Sequence, residues 1–268
     1  MTPPGRADPR LIDRVGRLIV EGPWERPPLI GIVGAQGSGK TTLAREAAET
    51  FGAAQISIDD VYLTKARREM MAEEVHPLFL TRGPPGTHDL RLLTRLIKSL
   101  TTARPDDKVL IPEFDKRGDD RRPIRDWRIY SGRPKAILVD AWCLGALPED
   151  EAALAEPVNA LERNHDPDGV WRQAVNRSVA GAYAEFAERF DAILFLEAPG
   201  FDVVLDWRCE QEADLLGVAP RDLPADERRR LAGFIQYFER ITRRMLDGGV
   251  RADVTVKLDR NRQPIAIP

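Results

Sequence analysis

Eight consecutive residues, Gly34-Ala35-Gln36-Gly37-Ser38-Gly39-Lys40-Thr41, satisfy the pattern Gly-x-x-x-x-Gly-Lys-Ser/Thr at every defined position. Glycines let the backbone turn sharply, so that several N–H groups converge on one point at the positive end of the helix that follows. That arrangement cradles phosphate oxygens. Lys40 adds a cation for the β- and γ-phosphates, and Thr41 offers a hydroxyl to Mg²⁺. Gly34, Gln36, Gly37, Ser38, Gly39, Lys40, Thr41 and Thr42 form the expected nucleotide-binding set. An accidental Gly-rich turn is the competing reading; a strand pattern before the loop and a helix pattern after it favour the first.

Acidic residues supply the second part of the chemistry. Asp59 and Asp60 close the apolar segment 53–58. A carboxylate there can take the proton from a substrate hydroxyl, or hold Mg²⁺ directly or through water. It can also serve as a helix N-cap. Asp59 is the candidate proton acceptor and Asp60 a candidate metal ligand, with the reverse assignment open. Asp140 ends the apolar run Ile137-Leu138-Val139, where a P-loop protein keeps its second metal-holding acid. A buried carboxylate needs a cation or donors nearby, although it can also cap a turn. Thr41, Asp60 and Asp140 are thus the metal candidates. Arg208 lies beside Val204, Leu205 and Cys209 on one helix pattern. Its guanidinium either snorkels or is aimed at phosphates as a catalytic arginine.

A phosphate loop alone does not separate a kinase from a GTPase switch or a motor ATPase. No Asn-Lys-x-Asp tetrad for reading guanine occurs, and Asp166-Pro-Asp-Gly169 reads as a turn. No Glu follows Asp140, where a motor would place one. Phosphoryl transfer to a small acceptor remains. A nucleotide-binding regulatory protein that no longer transfers phosphate is the rival from another class.

These groups need a sheet to position them. Short apolar runs at 29–33, 53–58, 108–112, 136–139, 192–196 and 254–258 read as strands. Helical patterns cover 9–21, the stretch after the loop to about 50, 62–75, the segment from Leu90, 171–190, 201–216 and 225–246. The alternation predicts an α/β fold, a P-loop NTPase fold with a mostly parallel five-stranded sheet and helices on both faces. Ligands gather at the carboxyl ends of such strands, where the loop, Asp59-Asp60 and Asp140 all fall. Residues 1–268 are expected to form one domain, with substrate-side insertions at about 60–107 and 114–134.

The bulk properties agree. The 268 residues carry 40 basic and 43 acidic side chains, a net charge of -3, which gives no basic excess for nucleic acid. No apolar run approaches a membrane span, and the N-terminal segment has no signal-peptide core. The two cysteines, Cys143 and Cys209, stand in no metal-ligand spacing and read as reduced thiols. A cytoplasmic location is expected. His76 and His165 read as structural, and Arg228-Arg229-Arg230 as a solvated helix face.

Six segments follow the loop in order: SIDDVYLT, RGPPGTHD, IPEFDKRGDDR, ILVDAWCLGA, VLDWRCEQE and FIQYFERITRRML. Together, over roughly 29–258, they resemble the D-glycerate 3-kinase group within the phosphoribulokinase/uridine kinase/pantothenate kinase class. The resemblance implies ATP and Mg²⁺ as co-substrate and cofactor and a small-molecule acceptor, a hydroxy acid. It implies that Lys40, Asp59 and Arg208 are catalytic. It places Arg82, Thr87, His88 and Asp89 in one acceptor-side loop, and Lys116 and Arg121, beside Phe114 and Asp115, in another. Nucleosides, pantothenate-like molecules and sugars are the alternative acceptors. This chain departs from the group at Asp140-Ala141, where Glu-Gly is frequent, and at Val61, where Phe is preferred.

Overall fold

In the computed structural model, which describes residues 6–268, the chain begins with helix α1 (Pro9–Val20), strand β1 (Leu29–Gly34) and helix α2 (Lys40–Phe51). Strand β2 (Ala54–Ser57) leads into a single 3-10 turn, Ile58–Val61. Helices α3 (Lys65–Glu74) and α4 (Leu90–Thr101) precede four short strands: β3 (Lys108–Ile111), β4 (Phe114–Asp115), β5 (Asp120–Arg121) and β6 (Arg128–Ser131). The chain returns through β7 (Ile137–Ala141), α5 (Ala160–His165), α6 (Val170–Ser178), a π turn at Val179–Tyr183 and α7 (Ala184–Ala187). It ends with β8 (Ala192–Glu197), α8 (Asp202–Leu216), α9 (Ala225–Leu246), β9 (Val254–Leu258) and β10 (Pro264–Ala266).

The central sheet runs β10-β9-β8-β1-β7-β2. Every pairing from β2 to β9 is parallel and only β10 is antiparallel. The strands alternate between two cores, as period-2 side chains must when both faces are covered. Leu29, Val33, Ile137, Val139, Ile193 and Phe195 pack with α4, α6, α7 and α9. Ile30, Ile32, Leu138, Leu194 and Leu196 pack with α1, α2 and α8.

One expected strand does not belong to this sheet. Residues 108–111 pair antiparallel with β6 in a separate two-stranded ribbon, Leu110 opposite Ile129, and both of these apolar side chains are exposed. An apolar run of four cannot by itself reveal which sheet it joins. The parallel set of five is completed by 254–258. Residues 58–136 contribute no strand to the central sheet. The helix expected at 62–75 starts at Lys65, where Thr64 accepts a cap bond from the Arg67 amide. The pattern at 171–190 is helical but carries the π turn. Both cysteines are buried and unpaired, and no described helix is long and apolar enough to cross a membrane.

Candidate active site

Parallel pairing sets Ser57 beside Asp140 and Val33 beside Ala141, so the ends of β2, β7 and β1 line up. Connection α2 leads from β1 to β2 across β7, while β8 lies on the other side of β1. The crevice outside such a reversal point is where doubly wound sheets bind ligands.

The phosphate loop leaves β1 at Gly34 and enters α2 at Lys40. Gly37 and Gly39 have φ of 78° and 88°, a region L side chains rarely adopt. A Cβ on Gly37 would also lie 2.6 Å from the Cβ of Trp207, so the loop rests directly on α8. Arg262 donates from Nε to the Gly37 carbonyl at 2.7 Å, pinning the loop from the C-terminal side. The Ser38 hydroxyl and both amide atoms of Gln36 are buried without a partner among the described residues. Buried polar atoms are seldom left so, and these lie in the loop that the pattern assigns to phosphate. Thr42 stands half-buried in the first turn of α2.

Lys40 reaches back to the Ala35 carbonyl at 3.3 Å. Burial pushes its ammonium below the ordinary lysine range, while the charges of Asp59 and Asp140 oppose that shift. Asp140 is buried and accepts from Thr41 Oγ1 at 2.8 Å, Gln55 Nε2 at 2.7 Å and Ser57 Oγ at 3.1 Å. Burial raises its pKa, against Lys40 and the two shortest of these donors. Gln55 and Ser57 were not singled out in the sequence. They sit two apart on β2, and that spacing puts both on the face toward Asp140.

Asp59 lies on the 3-10 turn after β2, not on the strand itself. Tyr62 donates to its Oδ1 at 2.7 Å and Lys116 to its Oδ2 at 3.1 Å. Burial would raise its pKa, yet Lys116, Lys40 and the Tyr62 bond together hold it well below the carboxylate range. Asp60, one residue on, is different. Burial lifts it to about 6, partly offset by Arg128, whose guanidinium is 3.8 Å away. Adjacent acids are thereby split into an ionised one and one that protonates readily.

The residues of the two expected acceptor loops gather around Asp59 and its partner Tyr62. Arg82 pairs with Asp119 and lies 5.6 Å from the Phe114 ring centroid. Arg121 donates to the Tyr62 carbonyl at 2.6 Å, and its buried Nε has no partner among the described residues. His88 stacks on Tyr62 with centroids 4.6 Å apart and bonds the Tyr183 hydroxyl through Nδ1 at 2.5 Å, while its buried Nε2 has no partner among the described residues. Burial lowers its pKa to about 4.

Two expected contacts read differently in three dimensions. Thr87 is fully buried, and its hydroxyl accepts from the Gly83 amide and donates to the Pro84 carbonyl, so it shapes the loop rather than facing an acceptor. Asp89 caps α4 by accepting from the Leu92 amide at 2.9 Å and lies 3.5 Å from Arg121. It orients that arginine.

Arg208 bonds Gln211 and lies 3.8 Å from Glu212. Burial lowers its pKa, and its charge is felt by Lys40 and Lys116, so it stands in the field of the site rather than snorkelling away from it. Sequence reading missed Arg68 entirely. This fully buried arginine of α3 donates to the Leu80 and Asp119 carbonyls at 2.5 and 2.6 Å, tying the β4–β5 hairpin to the acceptor loop. Nothing in a charged helix pattern marks one arginine as interior. His76 is structural as expected, accepting from the Leu78 amide through Nδ1. Asp166 caps α6 and pairs with buried Arg172, as a turn residue should.

Comparison with known proteins bears on the fold. No family model matches the sequence. The chain is 29% identical over 219 residues to "Uncharacterized kinase mug58" of Schizosaccharomyces pombe, covering 75% of this chain and 76% of that one. It is 27% identical over 265 residues to "Probable ATP-dependent kinase TDA10" of Saccharomyces cerevisiae, covering 88% and 86%. Among solved structures, D-glycerate 3-kinase from Cryptococcus neoformans superposes with a TM-score of 0.74 over 96% of this chain and 98% of that one, at 20% identity. The YGR205w protein superposes with a TM-score of 0.69 over 97% and 95%, at 22% identity. Those structures establish the fold, a P-loop NTPase fold, and both relatives by sequence are named as kinases.

Proposed function

We propose that this chain is a kinase that transfers the γ-phosphoryl group of ATP to a hydroxyl of a small hydroxy acid, with D-glycerate, phosphorylated at its terminal hydroxyl to 3-phosphoglycerate, as the acceptor. The observation that carries the reading is Asp59: an ionised carboxylate in the field of Lys40, paired with Lys116, with Arg82 and Arg121 beside its other partner, Tyr62. Asp59 takes the hydroxyl proton as the hydroxyl oxygen bonds the γ-phosphorus. The bond to the β–γ bridging oxygen breaks, and ADP leaves with its electrons. Lys40 and Arg208 stabilise charge on the group in flight; such catalysis is mainly positioning and electrostatics.

Thr41, Asp140 and Asp60 fit a magnesium ion carried in with ATP. Asp140 is a buried acid surrounded by donors, no group of three or more acidic, His or Cys ligands forms among the described residues, and Mg²⁺ characteristically relies on phosphates and water for the rest of its shell. Bound there, the ion would neutralise phosphate charge.

The choice of a hydroxy acid over a nucleoside rests on the pocket. Phe114, the aromatic of the two acceptor loops, is buried under Arg82 and edge-on to Tyr62, so it offers no open face for a base. Arginines suit a carboxylate because the planar fork meets both oxygens. The likeness in fold to a D-glycerate 3-kinase supports the same choice. The test is acceptor-dependent ADP release with glycerate, glycerol, nucleosides, pantothenate and sugars, followed by NMR of the product. Equal use of glycerol would show that no carboxylate site exists, and a 2-phosphate product that the acceptor lies the other way round. ATP binding with no turnover of any acceptor would favour the regulatory alternative.

A further inference from the structure

Both oxygens of Asp59 are already occupied, one by the Tyr62 hydroxyl and one by the Lys116 ammonium. The two partners differ in freedom. Tyr62 is 4% exposed and fixed by its stack on His88 and its edge contact with Phe114. Lys116 is 60% exposed and rides the tip of a hairpin whose strands, β4 and β5, are two residues each. A carboxylate oxygen can accept a second bond, but an ammonium held against it weakens it as a proton acceptor. Of the two partners of Asp59, Lys116 is the one free to leave.

A lysine does not leave an anion for nothing. The other charged groups around Asp59 are Lys40 from α2, Arg208 from α8, Asp60 beside it on the 3-10 turn and Asp140 on β7, while His88 from the acceptor loop is held neutral by burial. Lys40 belongs to the phosphates, and Asp60 and Asp140 lie on the metal side. Within the acceptor space the new anion available to Lys116 is the carboxylate of the acceptor. We infer that Lys116 shields Asp59 until the carboxylate of an anionic acceptor draws the ammonium away, so that Lys116 selects acceptors by charge as well as binding them. The exchange swaps one ion pair for another at a side chain more than half exposed, so little is lost. No proton or covalent bond changes hands in the exchange, and Asp59 is unmasked as a proton acceptor when the acceptor carries its own anion. This specificity role rests on the reading of Asp59 as proton acceptor and of a hydroxy acid as acceptor.

Glycerol has the same terminal hydroxyl as glycerate and no carboxylate, so the pair isolates the effect. In Lys116→Met, kcat/KM for D-glycerate should fall about 10- to 100-fold, the worth of one hydrogen bond to a charged group. For glycerol it should rise, because the shield is gone, and KM for ATP should hold. Lys116→Arg, which keeps the cation, should retain the wild-type preference for glycerate over glycerol. A side chain that only braces the hairpin, or only steadies the transferred phosphoryl group, would instead lower both acceptors alike. That result, or an unchanged glycerate-to-glycerol ratio, would overturn the shield while leaving the glycerate assignment standing. Failure of the wild-type protein to use glycerate would overturn the assignment itself, and the shield with it.

Discussion

The two halves of the site are built from different materials. On the donor side, the phosphate loop hangs from fully buried β1, rests on Trp207, and faces an Asp140 whose partners come from β2 and α2. On the acceptor side, the groups sit on segments outside the central sheet and are held by ion pairs: Arg82 and Arg68 to Asp119, Lys116 to Asp59, Arg121 near Asp89. Backbone geometry in a close-packed core is hard to retune. Ion pairs between loops can be exchanged one at a time. On the proposed reading, the donor half therefore carries the phosphoryl chemistry, and the acceptor half carries the choice of acceptor.

Substitutions can test that division. The largest effect should come where the halves meet. Asp59→Asn keeps the size and the Tyr62 contact but cannot take a proton, so turnover should fall by about 10²–10⁴ while ATP still binds. If Asp60→Asn is the crippled variant instead, the roles of the two acids are reversed. Next comes a pure donor-side change: Lys40→Ala should cost about 10²–10³ in kcat with an unchanged melting profile, since the side chain serves charge and not packing. Near-normal turnover in a folded Lys40→Ala protein would sink the kinase assignment.

An acceptor-side change should be milder and one-sided. Arg82→Lys keeps charge but loses the fork, so KM for the hydroxy acid should rise about tenfold with KM for ATP unmoved. A matching rise for ATP would erase the boundary between the halves. The smallest effect concerns stability. His88 is held neutral by burial, with a pKa of about 4 in place of 6.5. The unfolded chain therefore binds more protons between those values, and stability is lost as pH falls from 6.5 toward 4, by about 1–3 kcal/mol. Denaturant titrations of His88→Gln should show a flatter decline over that window; an equally steep one would place the acid sensitivity elsewhere.

The same division explains how much could be read from sequence. The donor half was legible because its determinants are local: a glycine pattern, an acid at the end of an apolar run, strands long enough to recognise. Tyr62 could have been found too, since it lies three residues beyond Asp59, one turn of the 3-10 segment. The acceptor half depends on contacts no local pattern announces. Arg68 reaches a carbonyl 51 residues away, and His88 a hydroxyl 95 residues away. A buried threonine such as Thr87 looks the same in sequence as a substrate-facing one. Hydrophobic runs such as 108–111 carry no address for the sheet they join.

The π turn at Val179–Tyr183 ties a small irregularity to acceptor geometry. Tyr183 receives the Gly86 amide at 3.1 Å and bonds His88, so it anchors the acceptor loop at two points. A π turn amounts to one residue too many in an α-helix, and each residue turns the helix by about 100°. Deleting one residue within Val179–Tyr183 would leave a more regular helix that points the wrong side chain at the loop. The irregularity thus acts as a phase setting: a lineage that removed it would keep its ATP site and its helix, and would have to find another anchor for the loop that meets the acceptor.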